Sequence, residues 1–341
     1  MTVRHSWSGA RWTFLDADFA AVEALRAEGM LEAVARCMVI RGLDPAVVSV
    51  APTLAALHDP FLMLNMDAAV ARLERAIRER HRIRILTDYD VDGTTSSLIL
   101  QATLRLISPD LPVDYHIPDR FSEGYGFSVA AANKAVADGI DLLVTADIGV
   151  RDHASVAAAR AGGTDVLICD HHLPMGATVP EGAIVLCPPQ AGCTYPNRFL
   201  AACGVSLKLA QALLAEHPRR ERILRSLLKL AAIGTVADLV PLSTVENRAI
   251  VSLGLAELNH GQHHPGLSAL LEVCRVSPGD ITETDLAFRV APRINAAGRI
   301  SQATHVVELL TTTDAHHARK LAHELEALNQ ERREIQFQLV E

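Results

Sequence analysis

Between residues 83 and 186 the chain keeps alternating short apolar runs with helix-length segments. Ile83–Leu86, Val113–Ile117, Asp141–Thr145, Val166–Cys169 and Ala183–Leu186 read as strands. Helical patterns fill Thr94–Ile107, Val129–Ala137 and His153–Ala161 between them. Such alternation predicts an α/β fold: βαβ units forming a mainly parallel five-stranded sheet flanked by helices. Beyond Phe199 the pattern is helical through Leu258, which predicts a helical subdomain. Asp314–Glu341 then places Leu321, Leu325, Leu328, Ile335 and Leu339 on one stripe, predicting a long C-terminal helix. Upstream, the spacing predicts one helix over Phe19–Arg41 ending near Gly42, and another over Met66–Glu79 with Val70, Leu73 and Ile77 on one face. The expected organisation is a helical lead over 1–80, the sheet region over 81–198, a helical part of the same domain over 199–310, and the start of a connecting helix over 311–341. No glycine or proline stops that last helix, so a further domain is expected after it.

Composition narrows the class. Hydrophobic residues make up 49% and aromatics only 4%, so the core must come from Ala, Val, Leu and Ile, as suits an α/β protein. No apolar run approaches the ~20 residues of a bilayer span, and Met1–Ala10 has no apolar leader segment. The six cysteines form no C-x-x-C pair, which disfavours zinc ribbons and redox motifs and fits reduced thiols in the cytoplasm. A net charge of −8 argues against a broad basic face for duplex DNA. It is compatible with acids gathered at a cation site, where bound ions offset them.

Three predicted strands end in acids or imidazoles: Asp88-Tyr-Asp90-Val-Asp92-Gly93, Thr145-Ala-Asp147 and Cys169-Asp170-His171-His172. In open parallel sheets ligands bind beyond the carboxyl ends of the strands, so these turns should meet along one edge. Asp238, in Gly234-Thr-Val-Ala-Asp238-Leu-Val-Pro241, follows a helical run and could reach the same place. So many carboxylates resist sharing a site without cations. Carboxylates with one or two imidazoles suit Mn²⁺ best and Mg²⁺ second. Two such ions can hold a phosphate, activate a water and stabilise a leaving oxygen. An EF-hand is discarded, because the twelfth position counted from Asp88 is Ile99 and a strand, not a helix, precedes the loop. A lone Asp147 would read as a capping residue, and His263-His264 and His316-His317 as loop and solvated helix residues. The coincidence of three strand ends carries the metal reading.

These residues resemble the DHH phosphoesterase superfamily, whose triplet stands here as Asp170-His171-His172, and within it the RecJ family of single-strand-specific exonucleases. Ordered segments carry the resemblance along nearly the whole chain: Arg41-Gly42, Leu57-His-Asp-Pro60, Asp88–Gly93, Pro118-Asp-Arg-Phe-Ser-Glu-Gly-Tyr-Gly126, Gly234–Leu242, Glu246-Asn-Arg248 and Arg293-Ile-Asn-Ala-Ala-Gly-Arg299. The resemblance implies Asp90, Asp92, Asp147, His171 and Asp238 as metal ligands, with Asp88 close by. It implies Asp170, His171 and His172 as the catalytic triplet, Asp170 orienting its neighbours and His172 contacting phosphate. Arg120, Arg293, Asn295 and Arg299 match positions that touch the strand's phosphates; the alternative for Arg293 and Arg299 is a buried ion pair with site carboxylates. Ile148 departs from the family's small or polar residue after the acid, so a hydrogen bond there must be lost or remade.

The implied activity is a two-ion hydrolase, a 5′→3′ exonuclease on single-stranded DNA that releases 5′-mononucleotides in DNA repair and recombination. A single-strand-binding protein and a helicase are the implied protein partners, with no membrane association. Tyr89, Phe121, Tyr125 and Phe127 are candidates for base stacking, against ordinary packing. Two other functions compete: a phosphodiesterase on short oligonucleotides or cyclic dinucleotides, and a non-catalytic replication scaffold. The intact motif acids count against the scaffold.

Overall fold

The computed structural model describes residues 2–43, 51–118, 123–124, 126–300 and 303–340, without the side chains of residues 2, 177, 299, 300, 339 and 340. The chain divides into two compact units, Met1–Pro52 and Thr53–Glu341.

The first unit holds an antiparallel pair, β1 (Thr2–His5) and β2 (Arg11–Phe14), then helices α1 (Phe19–Ala27) and α2 (Glu32–Arg41). The single helix expected over Phe19–Arg41 is thus two. Gly29, at φ +93°, turns the chain between them in a conformation that side-chain-bearing residues avoid. The hairpin was not expected, because its short strands lie largely exposed and carry no inward apolar alternation.

The second unit is built on five parallel strands: β3 (Ile83–Thr87), β4 (Val113–His116), β5 (Leu142–Ala146), β6 (Asp165–Cys169) and β7 (Ile184–Leu186), in the order β4-β3-β5-β6-β7. Side chains alternate between the faces. Ile83, Ile85, Leu142, Val144, Leu167 and Leu186 enter one core, while Leu86, Leu143, Val166, Ile168 and Val185 enter another. Both faces are covered, so β5 is buried along its whole length, as parallel sheets require. Helix α3 (Met66–Glu79) covers the first face through Met66, Ala69, Leu73 and Ala76. Its Arg72 reaches Asp165 at 2.6 Å, tying the helix to β6. Helix α4 (Val91–Ile107) is buried over most of its surface, because the helical region packs onto it. Helices α5 (Val129–Ala137) and α6 (His153–Ala161) cover the other face.

After β7 come α7 (Ala202–Leu213), α8 (Arg220–Ala237), α9 (Val245–His260), α10 (Pro265–Val273), α11 (Ala291–Ile300), α12 (Thr304–Thr311) and the long α13 (Ala315–Val340). Their apolar stripes form a further core that includes Ile233, Leu270, Ile294 and Leu325. The chain therefore has the expected five-stranded parallel sheet flanked by helices, then a helical region ending in a long helix.

Candidate metal centre

Strand register sets the site. Thr87 pairs with Ala146, and Ala146 with Cys169, so Asp88, Asp147 and Asp170 each follow a paired residue at the same level. This edge lies where the strand order reverses, between β3 and β5, the place where ligands bind in such sheets. The turn after β3 is tight. A Cβ on Gly93 would stand 2.4 Å from the Asp88 carbonyl oxygen, so no side chain fits there. Asp90 caps α4 by accepting from the Gly93 amide at 2.9 Å. Asp147 adopts φ +64°, an uncommon left-handed conformation for a non-glycine residue.

The side chains converge. His171 Nε2 lies 3.2 Å from Asp147 Oδ1 and 3.8 Å from Asp92 Oδ2, and its Nδ1 lies 3.7 Å from Asp238 Oδ2. Among the described residues, three overlapping groups have ligand atoms close enough to share an ion: Asp92–His171–Asp238, Asp88–Asp90–Asp147 and Asp147–His171–His172. Asp92 has 1% of its surface exposed, and both its oxygens are gripped by backbone at the start of α7. Ala202 N donates to Oδ2 at 2.7 Å and Cys203 N to Oδ1 at 2.8 Å. Asp170 is differently engaged. Its Oδ1 accepts from the amides of His171 (2.7 Å) and His172 (3.1 Å) and bonds His172 Nδ1 at 2.8 Å, while Oδ2 accepts from Val150 N at 3.0 Å. It orients the His172 imidazole and holds the His171 backbone.

Burial and mutual repulsion dominate the electrostatics. Burial pushes the Asp147 carboxyl far up, and Asp92, Asp90, Asp170 and Asp88 push it further. Burial likewise raises Asp92, with Asp90 adding to it against His171 and the Cys203 contacts. Asp238 is pushed up to about 7 by burial and by Asp92 and Asp90. Burial would raise Asp170 too, but the His172 ring and the backbone amides outweigh it and leave the carboxyl low. In return, Asp170 raises the His172 imidazole against burial. Among the described residues no lysine or arginine pairs with Asp90, Asp92, Asp147 or Asp238. Among the described residues the buried His171 Nε2 has no hydrogen-bond partner. Crowded acids and an orphaned imidazole nitrogen are what a divalent cation would satisfy, so these residues fit the metal set.

The remaining expected residues fare unevenly. Arg293 is largely buried; its guanidinium is committed to Glu326 of α13 and to the Arg289 carbonyl, the ion-pair alternative with a helix acid in place of a site acid. Asn295 is half-buried on α11. Arg120, Phe121 and Tyr125, and the side chain of Arg299, lie outside the described residues. Phe127 is 2% exposed, inside the core behind β3 and β5, which favours packing over stacking. Ile148 joins that same core, so apolar packing stands where the family's pattern has a small or polar residue. Gly298 lets α11 approach the acid-bearing turn: a Cβ there would lie 2.5 Å from Tyr89 O. Sequence reasoning missed the amides of Ala202 and Cys203, which no side-chain pattern announces.

Residues 82–235 match the model of the DHH family, N-terminal domain. A solved structure of exonuclease RecJ bound to manganese superposes with a TM-score of 0.75 at 33% identity, covering 84% of this chain and 70% of that one. The chain belongs to the RecJ family of DHH proteins. RecJ of Thermus thermophilus in complex with Mn²⁺ superposes at 0.78 with 30% identity over 94% of this chain and 45% of that one. A second Thermus structure carries Mg²⁺. In sequence, the chain is 40% identical to Bacillus subtilis RecJ over 332 residues, 96% of this chain and 41% of that one. It is also 40% identical to Dickeya dadantii RecJ over 293 residues, 83% and 50%. The chain thus spans about half the length, or less, of these curated RecJ relatives. Among the described residues no helix is long and apolar enough to cross a membrane.

Proposed function

We propose that this chain is the catalytic core of a metal-dependent, single-stranded-DNA-specific 5′→3′ exonuclease that releases 5′-mononucleotides. The observation that carries this reading is the convergence of Asp88, Asp90, Asp92, Asp147, His171 and Asp238 at one sheet edge, with no cationic side chain paired to Asp90, Asp92, Asp147 or Asp238 among the described residues. Asp88, Asp90 and Asp147 would hold one divalent cation, and Asp92, His171 and Asp238 a second, with Mn²⁺ preferred over Mg²⁺. When bound, such ions polarise the phosphodiester, lower the pKa of an attacking water and stabilise the leaving oxygen.

The chain's own residues supply orientation. Asp170 holds His172 through Nδ1 and raises the basicity of its ring, which leaves Nε2 to face a phosphate oxygen. The α7 amides hold Asp92 so that its carboxylate plane cannot turn away. Arg120, Asn295 and Arg299 are assigned to the strand's phosphates, guanidinium forks suiting that task; Arg293 would join them on leaving Glu326. The reading puts the activity in cytoplasmic DNA repair and recombination, with a helicase and a single-strand-binding protein supplying the strand.

The test is digestion of end-labelled single-stranded oligonucleotides with Mn²⁺, comparing a blocked 5′ end with a blocked 3′ end and including Asp170→Ala. Blocking the 5′ end should stop release, and the variant should lose at least about 100-fold of the rate. Full activity in Asp170→Ala would defeat the proposal. Cleavage of dinucleotides but not of long strands would move it to the short-oligonucleotide phosphodiesterase.

A further inference from the structure

Asp92 and Asp238 face the same imidazole from different elements, one in α4 and one capping α8, two helices that pack directly on each other where Gly234 meets Thr95. A side chain of α9 further ties the backbone segments that flank them. Asn247 is fully buried, and its Nδ2 donates to two carbonyls at once: Phe199 O at 2.6 Å and Pro241 O at 3.0 Å. Phe199 lies three residues before Ala202, the first of the two amides that grip Asp92. Pro241 lies three residues after Asp238, beyond Leu239, which turns the chain at φ +60°.

The amide of Asn247 cannot swing between these partners. Its Oδ1 accepts from Asn197 Nδ2 at 2.8 Å, and Asn197 Oδ1 accepts from Phe199 N at 3.1 Å, closing a ring around the segment. Asn197 also reaches Glu246, whose carboxylate is fully buried against Lys208 (3.1 Å) and Tyr195 Oη (2.7 Å). The Glu246-Asn247 pair of the sequence motif thus has a division of labour. Glu246 anchors α9 in the core, and Asn247 spends both its donors on two irregular segments that carry no side-chain ligand themselves.

We propose that Asn247 is a positioning residue that sets the spacing of Asp92 and Asp238, and so the affinity of the Asp92–His171–Asp238 group for a divalent cation. The physical reason is tolerance. Metal–ligand distances must hold within about 0.2 Å, whereas loop segments shift freely unless their carbonyls are tied. This inference rests on the metal-dependent reading above.

The experiment is Mn²⁺ titration of the 341-residue chain, followed by the electron paramagnetic resonance signal of free Mn²⁺, for wild type, Asn247→Ala, Asn247→Asp and Tyr195→Phe. Asn247→Asp keeps the volume and the acceptor but has no N–H to donate, so it decides the matter if the alanine variant does not fold. Both Asn247 variants should bind one of two ions about 10- to 100-fold more weakly and the other unchanged. Tyr195→Phe, which strips a hydrogen bond from Glu246 alone, should lower the unfolding temperature and leave Mn²⁺ affinity as it was. Equal Mn²⁺ affinity in a folded Asn247 variant overturns the assignment of Asn247 while leaving the nuclease reading intact. A folded wild-type chain that takes up no Mn²⁺ overturns both.

Discussion

Replacing Asp238 by asparagine should make the metal-free protein more stable, although it removes a candidate ligand. The folded carboxyl is pushed up to about 7 from its ordinary 3.8, chiefly by burial and then by Asp92 and Asp90. Between those two values the folded chain holds a proton that the unfolded chain has lost, so stability falls as pH rises through that window. The full shift corresponds to about 4 kcal/mol. The side chain keeps 24% of its surface in solvent and shares its protons with neighbouring acids, so about 1–2 kcal/mol is expected at pH 8. Urea denaturation in EDTA at pH 4, 6 and 8 reads this directly. The asparagine variant should match wild type at pH 4, lead it by pH 6, and lead most at pH 8. Adding Mn²⁺ at 100 times its Kd should give wild type about 2.7 kcal/mol and the variant much less, reversing the order. A variant no more stable than wild type at pH 8 in EDTA would refute the repulsion argument, and with it the physical case for cations at this edge.

Two further substitutions probe the framework. Gly298→Ala places a methyl group 2.5 Å from Tyr89 O, so about 1–3 kcal/mol of stability should be lost, measurable by urea denaturation; an unchanged midpoint would mean that α11 is free to back away. Lys208→Met leaves the fully buried Glu246 without its cation, which should cost about 3–5 kcal/mol, most of it recovered in the Lys208→Met/Glu246→Leu double variant. A loss below about 1 kcal/mol in the single variant would refute the view that Lys208 is the cation that keeps Glu246 in the core.

The sheet was legible because its signal is local. Each strand is a short apolar run flanked by helix-length segments, and Asp88, Asp147 and Asp170 sit one residue past runs that pair in register. Helix α3 was legible from the spacing of Val70, Leu73 and Ile77, although Met66, Ala69 and Ala76 bury more deeply than Val70 and Ile77. What escaped the sequence reading depends on backbone. The break at Gly29 lies inside an otherwise unbroken apolar period, and the β1–β2 hairpin has no buried face to shape its pattern. At the centre, Ala202 and Cys203 act through their amides, so their side chains look like ordinary core. Arg293 shows the opposite failure. Its type suits phosphate, yet its guanidinium finds Glu326, a partner 33 positions along the chain that no local motif could reveal.

The grip of α7 on Asp92 means that the two halves of the domain are chemically inseparable. A fragment ending near residue 198 would retain Asp88, Asp90, Asp92, Asp147 and His171, yet lose the amides that aim one of those acids and the whole of Asp238. Severing the chain there would leave a sheet carrying most of the acids and half of an instrument, which makes the helical region a component of the candidate metal centre and not its scaffold.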